Sequence, residues 1–142
     1  MDNRDTSSKF STLEASASHT QNMRTPTILS LHKELMDLHD SIMPAMTKLT
    51  QLKRQLKIKL QEERNLVDRG DWKQIKEVVL SLESADEAMM QWMRTYKTSF
   101  EGMSDYEIEY YLNEEKKQIV QVKQKMVSSI NKANTILAKC NK

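Results

Sequence analysis

The stretch that decides the fold is residues 28–56, which read ILSLHKELMDLHDSIMPAMTKLTQLKRQL. Two sets of apolar residues recur in it at intervals of seven, and the second set lies three positions after the first. The first set is Ile28, Leu35, Ile42, Leu49 and Leu56, and the second is Leu31, Leu38, Ala45 and Leu52. Heptad spacing of this kind is typical of helices that bury one seam against partner helices. We therefore predict a long first helix over residues 27–67.

Pro44 interrupts this heptad pattern. A proline inside a helix removes one backbone donor, and its ring clashes with the preceding turn. The sequence therefore predicts a kink or a short break of the first helix at Pro44.

Two glycine-containing segments divide the rest of the chain. Residues 68–71 read DRGD, in which Gly70 can end a helix in the left-handed conformation and Asp71 can cap the next helix together with Gln74. Residues 101–103 form the second predicted turn, and Ser104 with Glu107 has the spacing of a capping box. These signals predict helices over residues 71–100 and 104–139. Because both connections are short, the sequence predicts an all-α, antiparallel, three-helix, coiled-coil-like bundle.

Residues 1–26 differ from the rest of the chain in being dominated by Ser, Thr, Asn, Asp and Gln. Such a segment buries too little apolar surface to offset the entropy lost on ordering. We predict a disordered polar tail, which could serve as a tether, ahead of a bundle that covers residues 27–141.

Composition and motifs exclude several function classes. The net charge of the 142 residues is only +2, so no nucleic-acid partner is predicted. No apolar run is long enough to span a membrane, and the single cysteine, Cys140, excludes an intramolecular disulfide. Glycine-rich phosphate loops, a Gly-x-Ser-x-Gly elbow and a Cys-x-x-Cys pair are all missing from the sequence. We therefore predict a protein that is not an enzyme and has no catalytic residues.

A second stripe of side chains follows the seam of the first helix, at spacings of four and three residues. It consists of His32, Met36, His39, Met43 and Met46. Counting from the two turns at about 1.5 Å per residue brings methionines of the second helix to the same level. Thioether sulfur prefers Cu(I), and imidazole also binds it. The candidate copper(I) ligands are His39, Met43, Met46, Met89, Met90 and Met93.

Two other interpretations of the methionines remain open. Methionine fills irregular gaps in helical cores and packs well against aromatic rings, so the stripe could be ordinary core. It could also form an adaptable groove for peptides or unfolded chains.

The start of the first helix predicts a partner surface. Residues 27–38 extend beyond the predicted end of the second helix and still carry Ile28, Leu31, Leu35 and Leu38. An exposed apolar stripe of this size usually marks a contact with another protein. We predict a homodimer or another protein partner through residues 27–38, or a fold-back of this segment at Pro44.

Three strings resemble a family of small bacterial proteins labelled "viral A-type inclusion protein". They are HDSIMPAM at residues 39–46, ADEAMMQWMR at 85–94 and YLNEEK at 111–116, and the similarity covers roughly residues 30–135. Members resemble envelope lipoproteins with a lipidated N-terminal cysteine and a polar tether. The resemblance implies a lipid-tethered location on the periplasmic side of the cell envelope if a signal peptide has been removed, and otherwise a cytoplasmic one. It implies no activity.

The function predicted from these observations is a non-catalytic, envelope-associated interaction or scaffold protein. The alternatives are a Cu(I)-binding protein that uses the methionine and histidine cluster, and a cytosolic coiled-coil adaptor. A membrane would be contacted only through an N-terminal lipid anchor, which this sequence does not contain.

Overall fold

The computed structural model describes residues 25–63, 69–97 and 99–140 of the chain. These residues form three α-helices that pack against one another, and no strand occurs among them. Helix α1 spans Pro26–Glu63, α2 spans Arg69–Thr95 and α3 spans Asp105–Cys140. The predicted all-α, three-helix fold is confirmed. The predicted tail lies almost entirely outside the described residues.

The chain divides into two compact units, to which all three helices contribute. The first unit comprises residues up to 40 together with 90–120, and the second comprises 41–89 together with 121–142. The core of the first unit includes Ile28, Leu35, Met93, Tyr96, Ile108, Leu112 and Ile119. The core of the second includes Ile42, Leu49, Leu52, Leu56, Ile75, Leu82, Met89, Met126 and Ala133. Every member of the first heptad set of α1 is buried, as the spacing predicts.

Helix α1 continues through Pro44 without interruption, so the predicted short break is wrong. The Pro44 side chain is exposed, while Ile42 and Leu49 on either side are 1 % and 0 % exposed. Burial of these neighbours stabilises the helix by more than the loss of one backbone hydrogen bond costs. A kink at Pro44 within the continuous helix stays a prediction.

The N-terminus of α2 corrects the predicted first turn. Arg69 and Gly70 are the first residues of α2, so Gly70 does not end a helix and Asp71 does not cap one. Glycine tolerates helical dihedral angles, and burial of Ile75 and Val79 on the following turns outweighs its weak helix propensity. The predicted end of the first helix at Val67 lies outside the described residues.

The C-terminus of α2 also differs from the prediction, because the helix ends at Thr95 rather than near Phe100. The Lys97 amide donates a hydrogen bond of 2.7 Å to the phenol oxygen of Tyr111, not to a carbonyl of the preceding turn. The Thr95 hydroxyl donates to the Gln91 carbonyl at 3.0 Å. The Tyr111 side chain of α3 thus accepts the hydrogen bond that the Lys97 amide would donate to a backbone carbonyl if α2 continued.

The start of α3 confirms the predicted capping box. The Ser104 amide donates to Glu107 Oε1 and the Glu107 amide donates to Ser104 Oγ, both at 3.2 Å. Before it, the Met103 amide donates to the Phe100 carbonyl at 3.1 Å. Gly102 has a φ of 81°, a left-handed conformation that favours glycine. The turn and the cap together fix where α3 begins.

The apolar start of α1 is covered within the first unit. Ile28, Leu31 and Leu35 are 3 %, 9 % and 0 % exposed, so the expected exposed stripe over residues 27–38 is wrong. The expectation compared α1 with the length of α2 alone, whereas α3 lies beside this segment. Thr25 donates to Glu109 at 3.3 Å, and farther along α1 Glu34 pairs with Lys116. The homodimer stays a prediction, but an exposed stripe over residues 27–38 no longer supports it.

A pair of serines joins α2 to α3 inside the second unit. The hydroxyl oxygens of Ser81 and Ser129 lie 2.8 Å apart, and Ser129 is 1 % exposed. Ser129 Oγ also lies 2.9 Å from the Lys125 carbonyl oxygen and 3.3 Å from the Ser81 carbonyl oxygen. Because buried hydroxyls need partners, this pair favours one register of the two helices.

We expect Ser129→Ala to lower the free energy of unfolding relative to Ser128→Ala by about 1–2 kcal/mol, because it leaves the Ser81 hydroxyl without its partner. Ser128 is the exposed neighbour on the same helix, so both variants gain the same helix propensity. Urea denaturation followed by circular dichroism measures the difference. Equal stabilities of the two variants would contradict the role of the pair.

Candidate functional site

The six predicted copper ligands are divided between the two compact units. His39, Met90 and Met93 belong to the first unit, and Met43, Met46 and Met89 belong to the second. The side chains of Met89 and Met93 are 0 % and 3 % exposed, as core residues are. The other four, His39, Met43, Met46 and Met90, are half-buried.

His39 already has an acidic neighbour. Its Nδ1 atom lies 3.1 Å from Oδ1 of Asp40, whose side chain is 64 % exposed. Within residues 25–63, 69–97 and 99–140, no three His, Cys, Asp or Glu side chains are grouped so that they could hold a metal ion. That finding concerns His, Cys, Asp and Glu alone, so it does not address a metal site built chiefly from methionine thioethers.

An aromatic cluster that the sequence analysis did not identify lies in the first unit. It consists of Trp92, Tyr96, Phe100 and Tyr111. The rings of Trp92 and Tyr96 stack with centroids 4.9 Å apart, and those of Tyr96 and Tyr111 with centroids 5.9 Å apart. Phe100 meets Tyr111 edge to face at 6.0 Å. Contacts of this kind add to the burial energy of the rings and fix the end of α2 against α3.

His32 joins the aromatic cluster from α1. Its Nδ1 atom lies 3.5 Å from the Tyr96 hydroxyl oxygen, at the long limit of a hydrogen bond. The residue is 8 % exposed, and its Nε2 atom has no hydrogen-bond partner. Burial lowers the pKa of His32, because a charged imidazole would lose its hydration there. The imidazole is therefore held neutral at pH 7.

The tyrosines of the cluster are held in their protonated form. Burial raises the pKa of Tyr111 to about 12, although the hydrogen bond from the Lys97 amide acts in the opposite direction. The pKa of Tyr96 is raised further, first by burial and then by the neighbouring Tyr111 and Glu115. Neither phenol can act as a base near neutral pH.

Glu115 borders the cluster on α3. Burial raises the pKa of its carboxyl group, and the neighbouring Trp92 indole and Tyr111 phenol partly oppose that rise. Trp92 and Tyr96 are 3 % and 1 % exposed, whereas Phe100, Tyr111 and Glu115 are half-buried. His32 and Glu115 are the ionisable groups beside the cluster whose pKa values are displaced toward the neutral form.

In contrast to the buried rings of the aromatic cluster, two tyrosines at the start of α3 are exposed to solvent. Tyr106 and Tyr110 are 78 % and 62 % exposed and, being four residues apart, share one face of the helix. Four carboxylates each lie within four residues of one of these tyrosines, those of Asp105, Glu107, Glu109 and Glu114. We call Tyr106, Tyr110 and these carboxylates the tyrosine face. The sequence analysis did not single out these tyrosines; the available signal was their spacing of four residues among acidic residues.

A basic groove lies on α1 in the second unit. It has a volume of about 330 Å³ and is lined by Thr50, Lys53, Arg54, Lys57, Ile58 and Gln61. Ile58 is 45 % exposed, an apolar side chain among cations. Lys57 pairs with Glu83 of α2 at 3.3 Å, which leaves Lys53 and Arg54 as the principal cations of the groove.

None of the helices in the described part of the chain combines the length and the apolar character that crossing a membrane requires. Comparisons of the chain with protein-family models, with curated proteins and with solved structures give no match. The assignment of function therefore depends on the aromatic cluster, the tyrosine face and the basic groove.

We expect the stability of the first unit to fall as the pH drops below 6.5, because the unfolded chain then binds a proton at His32 that the folded chain excludes. The loss is at most about 1.4 kcal/mol per pH unit for one proton. Glu115 acts in the opposite direction, since its raised pKa lets the folded chain take up a proton first. The free energy of unfolding of the unaltered protein is therefore compared with that of His32→Gln, which retains Glu115.

The measurement is the free energy of unfolding in urea between pH 7.5 and 5.5, with pH values chosen about one unit either side of the ordinary histidine pKa. The stability of the unaltered protein should fall relative to that of His32→Gln as the pH decreases. His39→Gln serves as the matched control, because His39 lies two turns away on α1 and is less buried than His32. Parallel pH profiles for all three proteins would contradict the assignment.

Proposed function

We propose that this chain is a non-catalytic interaction or scaffold protein, in which a helical bundle presents the tyrosine face to a partner. The observation that carries the proposal is the exposure of Tyr106 and Tyr110, at 78 % and 62 %. Tyrosine is enriched at the energetic centres of protein interfaces, because its ring is large and rigid and its hydroxyl tolerates water.

The proposed scaffold is an antiparallel, coiled-coil-like bundle, and contacts within the first unit support that arrangement. Residue numbers rise together in the pairs Thr25–Glu109 and Glu34–Lys116, as they do when α1 and α3 run the same way. They change in opposite senses in the pairs Trp92–Glu115 and Tyr96–Tyr111, which favours opposite directions for α2 and α3. The heptad spacing of α1 supports the coiled-coil character.

The proposed location is the cell envelope, with residues 1–26 as the tether. The resemblance of the HDSIMPAM and ADEAMMQWMR strings to envelope lipoproteins supports it, and so does the polar composition of the segment. A cytosolic coiled-coil adaptor is the alternative. Mass spectrometry of the N-terminal peptide from the organism of origin distinguishes them, since a lipidated cysteine ahead of residue 1 favours the envelope and its absence the adaptor.

The interaction role is tested with a photoreactive benzoylphenylalanine in place of Tyr106, expressed in the organism of origin. We expect one discrete cross-linked product, because a partner seated on the tyrosine face would lie within reach of that side chain. The same probe at Asn134, an exposed position farther along α3, is the matched control. Identical patterns from the two positions, or no product from either, would contradict the proposal.

A Cu(I)-binding role is the second candidate, and one feature of α1 favours it. Met43 and Met46 of the second unit are half-buried and three residues apart, so one helix face of that unit offers two thioethers. Thioether sulfur suits Cu(I), and half-burial leaves a route for an ion to enter.

Titration of the purified protein with Cu(I) against a bathocuproine chelator tests this second role. Changing Met43 and Met46 together to leucine should weaken Cu(I) binding at least about tenfold, because leucine keeps the volume but removes the sulfur ligand. Met126→Leu, a change at a buried core methionine of α3, is the control and should leave the affinity unaltered. Equal affinities for all three proteins would eliminate the copper role.

A further inference from the structure

The tyrosine face and the basic groove are complementary in charge. One is a pair of exposed phenol rings among carboxylates, and the other is an open site on α1 with cations around an apolar side chain. We propose that the tyrosine face of one copy of this chain docks into the basic groove of a second copy. The inference rests on the proposed interaction role and names the partner.

The charges of the tyrosine face favour a cationic partner. Asp105, Glu107, Glu109 and Glu114 each lie within four residues of one of the two tyrosines, and the nearest cations along α3 are Lys116 and Lys117. Lys117 pairs with Glu114 at 3.1 Å, and the hydroxyl of Thr25 donates to Glu109 at 3.3 Å. Glu107 accepts the Ser104 amide in the capping box, and the carboxylates keep their negative charge when they accept hydrogen bonds. Together they attract cations and repel a second acidic surface.

The basic groove offers what such a face requires. Its volume of about 330 Å³ accommodates a phenol ring, and Ile58 supplies an apolar surface for the ring to cover. Lys53 and Arg54 line the same groove, and a cation over the face of a tyrosine ring is attracted by its quadrupole. Carboxylates around the ring would meet these cations at the rim of the contact.

Like faces should not pair. Two tyrosine faces brought together would oppose four carboxylates with four, and two grooves would oppose lysine and arginine with their own kind. Like-charge contacts of this kind cost several kcal/mol in an interface. The contact is therefore heterologous, joining different surfaces of the two copies, and repetition of it generates rings or open chains.

The contact is small and should be weak. A stable interface buries about 800 Å² per partner, and two tyrosines with their flanking charges cover less than that. Charged groups at its rim remain close to solvent, so the attraction is screened by salt. Self-association should therefore appear at high protein concentration and low ionic strength.

Sedimentation velocity on the full chain over a range of concentrations tests the inference. The weight-average mass should rise with concentration at about 0.05 M salt and return toward the monomer value at about 0.5 M, where charges are strongly screened. Changing Tyr106 and Tyr110 together to serine should weaken association at least about tenfold. Leu80→Ser, at a residue 57 % exposed on α2, is the control and should associate like the unaltered chain.

A charge exchange makes the test independent of any single variant. One chain carries Lys53→Glu with Arg54→Glu, and the other carries Glu109→Lys with Glu114→Lys. Each should be monomeric alone, because the first chain then has two acidic surfaces and the tyrosine face of the second chain has no net charge. An equimolar mixture should associate through the acidic tyrosine face of the first chain and the basic groove of the second. Circular dichroism of each chain verifies that the helices remain formed.

A monomer at every concentration and salt, or a mixture of the exchanged chains that stays monomeric, would overturn the proposed self-docking. A cross-linked product at residue 106 with a mass other than that of two chains would also overturn it, while leaving the interaction role intact. A product of two-chain mass that disappears in the Lys53 and Arg54 variant would support both.

Discussion

Burial of the heptad seam of α1 is the constraint on which the rest of the structure depends. No single helix can remove that seam from water, so α2 and α3 must lie along it. Leu35, Leu49 and Leu56 are all 0 % exposed, which means that the cover extends over most of the length of α1. At about 25 cal/mol per Å² of apolar surface removed from water, this is the dominant favourable term in the fold. It also explains why α1 continues through Pro44 despite the lost backbone donor.

Tyrosine occurs in two environments in this chain, and its surroundings decide what it can do. Tyr96 and Tyr111 are packed among rings, with the Lys97 amide bonded to the Tyr111 phenol, and they close one end of α2 against α3. Tyr106 and Tyr110 lie on the same helix as Tyr111 but point into solvent. The first pair stabilises the fold, and the second pair is available to a partner.

The ionisable side chains likewise divide into two groups with different roles. Buried or half-buried ionisable groups such as His32 and Glu115 affect the pH dependence of stability, because their surroundings disfavour the charged forms. Cations at the surface, such as the half-buried Lys53 and the exposed Arg54, contribute little to stability one by one. Grouped on one surface, however, they create a field that selects the sign of whatever binds there.

The sequence by itself determined the local features of this protein. Heptad spacing predicted the seam of α1, and Ser104 with Glu107 predicted the start of α3, because both signals depend on residues within a turn or two of each other. Contacts between residues distant in the chain decided the rest. The Tyr111 phenol ends α2 at Thr95, α3 covers residues 27–38, and Gly70 lies within a helix whose next turns are buried. The sequence showed every tyrosine, but only packing of α3 against α1 and α2 decided which rings are buried and which meet solvent, since that depends on the rotation of each helix in the bundle.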